Sequence, residues 1–360
     1  MSGDREGHRA SRWIVAGVGV LVIAAAGTAL SVEIGREPAR HGPVASPSGR
    51  PGAPHAGTRP VPGPLKIQGR QVAEVVSDPP GALAMTSFSL PKDGNLFEVT
   101  AYVLDPATGT FVATPYVEAA VSPDGRTVAG IAGPYGASRQ VVVRDRRTGA
   151  ERHVSLPSSS GYLRWAPNGR RILVSLYSTA INEGLRGFAV IDPDTMRVQV
   201  TSVSGKGRPQ RLQSEGEFAW DSTGQHVVAP GAGSRLLRFS AATGKPAPDV
   251  RLTKFYDARE ILYSPSGRML ACDYLQDMRN EIVLWDIAGR APREIGRLRY
   301  LTLLGWYDGN RLLARRTNDS DRVETVLIDL DGVVRQTLVR DSIPWPGPAA
   351  MGQYSTVPRS

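Results

Sequence analysis

Ser122-Pro123-Asp124-Gly125-Arg126 stands between two apolar runs, and the same turn returns as Ala166-Pro167-Asn168-Gly169-Arg170 and Ser264-Pro265-Ser266-Gly267-Arg268. Looser copies occur at Asp78-Pro79-Pro80-Gly81, Asp221-Ser222-Thr223-Gly224 and Tyr307-Asp308-Gly309. Their glycines are separated by 44, 44, 55, 43 and 42 residues. An Asp, Asn or Ser side chain at the head of such a turn accepts hydrogen bonds from the backbone that follows. Pro presets φ, and Gly takes the positive-φ position that closes an antiparallel hairpin. Each copy therefore predicts two paired strands.

A second mark follows each of the first, where an alternating apolar strand ends in a polar residue and a turn. It reads Val103-Leu104-Asp105 before Thr108-Gly109, Val143-Arg144-Asp145 before Thr148-Gly149, and Val190-Ile191-Asp192 before Asp194-Thr195. The later copies are Arg238-Phe239-Ser240, Leu284-Trp285-Asp286 and Leu327-Ile328-Asp329. Two hairpin turns per unit, recurring at a period of about 43 residues, are the signature of a β-propeller. The expected fold is all-β: a six-bladed β-propeller of four-stranded antiparallel blades over residues 66–345, with a carboxyl-terminal tail at 346–360. The regular Asp before each Thr-Gly turn reads as a turn cap rather than a catalytic carboxylate.

These turns resemble the bacterial WD40-like repeat of the TolB carboxyl-terminal type, whose core is a Ser-Pro-Asp-Gly-Arg turn followed by an apolar strand. The resemblance covers roughly residues 70 to 340, and the fourth and sixth copies depart from it by lacking Pro. The amino-terminal domain that TolB carries has no counterpart here, so its envelope role does not carry over.

Before the repeats, residues 13–32 form an uncharged, mostly apolar run preceded by Arg5, Arg9 and Arg12. That length spans a bilayer as one transmembrane helix, and the arginines place residues 1–12 as a cytoplasmic tail. The alternative is a secretory signal cut after Ala29, with secretion of the remainder. No cysteine follows the run, which excludes a lipoprotein. Residues 33–65 are dominated by Pro, Gly, Ala, Ser and Arg, a composition that reads as a disordered, extended linker. Either export route makes the propeller extracytoplasmic, at the cell membrane in the first case.

The chain of 360 residues is 41% hydrophobic and carries a formal net charge of +9. Seven arginines against four acidic residues in the first 65 positions leave about +6 on the rest. A basic exported head attracts anionic cell-envelope polymers or lipid head groups as a general field effect. Its basic residues are spread over every blade without an aromatic platform, which argues against nucleic acid. The single Cys272 excludes an internal disulfide, so ring closure and the core must hold the head together.

In a propeller the first and third turns of each blade open on one face. The second turn and the connection to the next blade open on the other, where the loops vary. Functional residues concentrate on such loops. The expected second-turn loops include Gly133 to Arg139, Tyr177 to Gly187 and Asp273 to Glu281, and the long connection runs from Ser202 to Gly216. They offer Tyr135, Arg139, Tyr177, Arg186, Arg208, Asp273, Tyr274, Asp277 and Arg279 as a mixed aromatic and charged rim over the channel mouth.

No Gly-x-Ser-x-Gly elbow, phosphate loop or metal-ligand spacing occurs, and His153 and His226 stand alone on predicted strands. No cofactor or metal is expected. The reading is a monomeric head that binds a protein or an anionic envelope polymer. A hydrolase or lactonase at the channel mouth is the alternative, and it requires carboxylates converging from several blades.

Overall fold

The computed structural model describes residues 63–67, 70–76, 83–92, 95–134, 137–177, 184–203, 217–231, 234–252, 258–276, 279–289, 291–318, 320, 322–341 and 351–356. The expected tail 1–12, membrane span 13–32 and most of the linker lie outside them. No helix among the described residues is long and apolar enough to cross a membrane.

In chain order the strands are β1 (Gly63–Ile67) and β2 (Arg70–Val75), then β3 (Leu83–Lys92), β4 (Asn95–Leu104) and β5 (Phe111–Ala113). The next two blades are β6 (Tyr116–Val121), β7 (Thr127–Ala132), β8 (Gln140–Asp145) and β9 (Glu151–Ser155), followed by β10 (Ser159–Trp165), β11 (Ile172–Tyr177), β12 (Leu185–Ile191) and β13 (Val198–Ser202). Then come β14 (Ala219–Trp220), β15 (His226–Gly231), β16 (Arg235–Ser240), β17 (Pro246–Arg251), and β18 (Ala258–Tyr263), β19 (Met269–Gln276), β20 (Arg279–Asp286), β21 (Arg293–Arg299). The last are β22 (Thr302–Trp306), β23 (Arg311–Thr317), β24 (Val323–Asp329), β25 (Val334–Asp341) and β26 (Met351–Thr356).

They form six antiparallel sheets, four of them built from consecutive strands. The first blade has the order β26-β3-β4-β5, and the sixth has β1-β2-β25-β24-β23-β22. The first two described strands thus join the sixth blade and the last joins the first blade, on either side of one seam. The segment 346–360, expected as a tail, supplies the first blade's innermost strand through pairs such as Gln353 with Ser87 and Ser355 with Ala84. Closing a ring of sheets requires a strand that crosses from the end of the chain to its beginning, and this is that strand. Residues 63–65, expected as the end of the linker, are already strand: β1 and β2 form a hairpin that extends the sixth blade outward, where Ala73, Glu74 and Val75 pair with Asp341, Arg340 and Val339.

Asp78-Pro79-Pro80-Gly81 lies outside the described residues, and the strands flanking it, β2 and β3, belong to different sheets. It connects blades rather than closing a hairpin. The other five copies of that turn, and all six of the second kind, join paired neighbours. Gly125 and Gly169 take φ of 72° and 69° as a tight turn demands. Gly309 has no positive φ, and its turn is closed differently, by the Tyr307 N–H donating to the Arg311 carbonyl at 2.9 Å.

Because every blade is sandwiched between two others, alternate residues of one strand feed two different seams. Leu173, Phe188 and Val190 pack with Phe218, Trp220 and Phe239 of the fourth blade. Ile172, Val174, Ala189 and Ile191 pack with Ala129, Ile131 and Val143 of the second. Six such clusters, one per seam, close the circle. The seam between the last and first blades joins Ala73 and Val75 of β2, Met85 and Phe88 of β3, and Leu313, Leu327, Leu338 and Val339.

A tryptophan at the end of an inner strand ties its blade to the preceding one. The Nε1–H groups of Trp165, Trp220 and Trp306 donate to the carbonyls of Ala120, Arg164 and Leu262 at 2.9, 3.2 and 2.9 Å.

The strand-end aspartates are turn caps. Asp145 Oδ1 accepts the N–H groups of Arg147 and Thr148 at 2.9 and 2.7 Å, and Asp192 Oδ1 accepts those of Asp194 and Thr195, both at 2.9 Å. Backbone donors at Ala107, Thr148 and Thr195 hold the Asp105, Asp145 and Asp192 carboxyls below the usual aspartate value. A depressed folded-state value means the stabilisation is present above about pH 4 and is lost as pH falls through the folded values. Thermal melts should therefore show a decline below about pH 4 that is shallower in Asp145→Asn, and equal slopes in the two proteins would count against the caps.

Candidate functional site

Inner strands of four successive blades bring Glu118, Arg164, Glu217 and Glu260 together. Glu118 lies on β6, Arg164 on β10, Glu217 two residues before β14, and Glu260 on β18. All but Arg164 lie in the first half of an inner strand or just before it, toward the face of the second turns and blade connections.

The third blade is shaped to complete this cluster. Its inner strand shifts register between Gly161 and Arg164, and Tyr162 takes φ of 54°. A non-glycine residue in that region marks a local bulge that re-aims the side chains beyond it. The bulge points two backbone donors at one carboxylate: Tyr162 N–H donates to Glu118 Oε2 at 2.9 Å and Leu163 N–H to Oε1 at 2.7 Å. Two residues later Arg164 reaches the next two blades, its Nη2 lying 3.3 Å from Glu217 Oε2 and donating to Glu260 Oε1. The Phe218 N–H donates to Ser175 Oγ at 3.3 Å and holds the segment carrying Glu217 against the third blade.

Two carboxylates thus share one guanidinium in a sparingly solvated place, with Glu118 beside them on the bulge's backbone donors; the Arg164, Glu217 and Glu260 side chains are 28%, 15% and 19% exposed. Burial pushes Glu217 up to about 8, an effect that Arg164 opposes and Glu260 reinforces. Burial works against the charge on Arg164 as well, but Glu260 and Glu217 outweigh it and hold the guanidinium above its ordinary value.

The sign for stability follows. Because Glu217 binds its proton more tightly folded than unfolded, its contribution is fully present below the unfolded value of about 4.3 and is lost as pH rises toward 8. The melting temperature should fall between pH 5 and 8.5 in the native chain and fall less in Glu217→Gln. Parallel profiles would show that Glu217 titrates normally.

Asp273 and Tyr274 are buried in β19, which runs to Gln276, and Arg279 opens β20. The loop expected from Asp273 to Glu281 is therefore mostly strand, because β19 and β20 stay in unbroken register out to Gln276 with Arg279; Asp273 is the register partner of Glu260. Burial raises the Tyr274 phenol well above its ordinary value. Arg139 is exposed between β7 and β8, and Arg186 is exposed on β12. Tyr177 ends β11 partly buried, its ring 6.2 Å from that of Tyr162. Tyr135, Arg208 and Asp277 lie outside the described residues.

Tyr300, 62% exposed with φ of 61°, stands at the connection into the sixth blade, opposite the third in the ring. Sequence reading missed Glu118, Arg164, Glu217, Glu260 and Tyr300 because it searched loops, whereas four of these sit on or beside inner strands. One signal was available: the position four residues before the Ser, Ala or Asp that opens each turn is Glu in three copies, at 118, 217 and 260, amid apolar residues.

His226 is not alone. Its Nδ1 lies 2.9 Å from Asp221 Oδ2, with Arg238 Nη2 at 3.2 Å from the same nitrogen. No group of three His, Cys, Asp or Glu side chains placed to hold a metal occurs among the described residues.

Among solved structures the chain is similar to TolB from Acinetobacter baumannii, at 14% identity over 79% of this chain and 68% of that one, with a TM-score of 0.52. It also aligns with the β-propeller domain of Myceliophteria thermophila Cps50 (Swd1), at 13% identity over 72% of this chain and 87% of that one, with a TM-score of 0.48. No protein-family model matches the sequence, and neither does any curated protein. Identity this low speaks for the fold alone, and the TolB alignment agrees with the ring of blades described above.

Proposed function

We propose that the protein is a membrane-anchored, extracytoplasmic propeller that binds a protein partner at the channel mouth. One observation carries the reading: on or beside the inner strands of four blades stand polar residues, Glu118, Arg164, Glu217 and Glu260, next to neighbours such as Ala120, Leu163, Trp220 and Ile261 that feed apolar seams. Exposed tyrosines at 162 and 300 border the same face, and aromatic residues among charged ones are the composition of protein-binding surfaces. The apolar run at 13–32 and the Pro- and Gly-rich linker support a tethered head.

The hydrolase reading has one observation in its favour: a carboxyl that keeps its proton near neutral pH, Glu217, beside a second carboxyl from a neighbouring blade. Arg164 occupies the space between them, which is where a scissile bond would have to sit.

Photo-crosslinking side chains introduced at Tyr300 and Arg186 in the full chain in intact cells should capture one and the same species. The same group at Arg147, on the tight-turn face, should capture none of it. Equal capture from both faces overturns the assignment of the channel mouth.

A further inference from the structure

We propose that Arg164, Glu217 and Glu260 form a proton-controlled clasp between the inner strands of the third, fourth and fifth blades, which holds the channel wall closed while Glu217 is protonated and loosens it when Glu217 ionises. The clasp goes beyond the binding reading and does not depend on it, since it concerns the wall of the channel itself.

The geometry supplies the mechanism. One nitrogen, Arg164 Nη2, serves carboxylates from two different blades, Glu217 at 3.3 Å and Glu260 by a hydrogen bond. With a proton on Glu217, the guanidinium balances Glu260, and Glu118 is satisfied separately by the backbone donors of the bulge. Loss of that proton adds a second carboxylate charge to a single guanidinium in a place with little water. The charged groups that face Glu217 among the described residues are Arg164 from β10, Glu260 from β18 and Glu118 from β6; Asp273 of β19 is the register partner of Glu260. Apart from Arg164 all are acidic, so the extra charge meets repulsion from two sides. Hydration of the site is the remaining relief, and it requires the inner strands to part.

The fourth blade is where the wall yields. Among the described residues its inner strand β14 is two residues long, against five to seven in the third, fifth and sixth blades, and it pairs with β15 through Ala219 with Val228 and Trp220 with Val227. Backbone pairing there is short, so the inner strand is held by the Phe218 to Ser175 and Trp220 to Arg164 hydrogen bonds, the apolar seam and the ionic node, and the node is the one of these that titrates.

Hydrogen exchange of the full chain, followed by mass spectrometry from pH 6 to 9 and corrected for intrinsic base catalysis, tests the clasp. Peptides covering β10, β14 and β18 should lose protection about tenfold or more, with a midpoint near 8, while peptides covering β6 and β22 stay flat. Glu217→Gln should abolish the transition. Flat protection of β14 across the range in the native chain overturns the proposal even if the variant fails to fold. So does an unchanged transition in Glu217→Gln.

Discussion

Deletion of residues 346–360 is expected to destroy the cooperative fold or lower its stability by more than about 4 kcal/mol, a range that single surface changes do not reach. Removing β26 strips the inner edge of β3 of six pairings, from Met351 with Ser89 to Thr356 with Leu83. It also uncovers the flank of a seam in which Phe88 is 1% exposed and Met85 6%. Phe88 lies against Tyr102 and Phe111 at centroid distances of 5.1 and 4.9 Å, so water reaching it enters an aromatic cluster. An open ring has two unsatisfied blade faces instead of none. Urea denaturation reads the effect as a collapse of the midpoint, and a midpoint within error of the full chain would show that the ring closes by other means.

Replacement of Trp220 by Ala is expected to cost about 3–5 kcal/mol, the range for truncating a large buried aromatic. Trp220 is 6% exposed within the core shared by the third and fourth blades, and its Nε1–H is the donor to the Arg164 carbonyl. The loss combines an unfilled space with an orphaned carbonyl directly beside the charged node. Trp220→Phe keeps most of the apolar contact and removes only the donor, which should cost about 1 kcal/mol. The difference between the two variants separates packing from the inter-blade hydrogen bond. Equal losses in both would assign the whole effect to the hydrogen bond, and a negligible loss in both would show that the blades are held apart from this tie.

The turns made the ring readable. A Ser, Asn or Asp that accepts backbone N–H groups, and a Gly at positive φ, act within five residues, so Ser122 to Arg126 carries its structure in its own sequence. What joins blades is not local. The tie from Trp220 to Arg164 spans 56 residues and the contact of Arg164 with Glu260 spans 96, and nothing in either neighbourhood announces the other. The same holds for closure. Met351 to Thr356 has no turn mark, and it becomes a strand because the first blade lacks an inner one. Asp78 to Gly81 misled for the opposite reason: it has the composition of a hairpin turn, but the strand before it is captured by β25, which the chain reaches more than 250 residues later.

The candidate site follows the same rule. Arg139, between two strands, and Arg186, at the start of β12, lie exposed where the turn pattern placed the second-turn loops. Asp273 was expected at the start of a second-turn loop, after the apolar run Met269 to Cys272. The structure accommodates it beside Glu260, where a polar patch already exists. Glu118, Glu217 and Glu260 acquire meaning only once the inner strands are wrapped around one axis and the bulge at Tyr162 turns Arg164 toward them.

The claim beneath all of this is a closed ring whose last strand pairs with its first blade, and one bond tests it. Ala84 and Ser355 are register partners across that seam. With both changed to Cys in the full chain, mild oxidation should link them within one molecule, detected as a disulfide-joined peptide pair after digestion. Ala84→Cys combined with Met351→Cys, out of register, should stay reduced. Free thiols at positions 84 and 355 in folded protein, or linkage of the out-of-register pair instead, would contradict the ring closure.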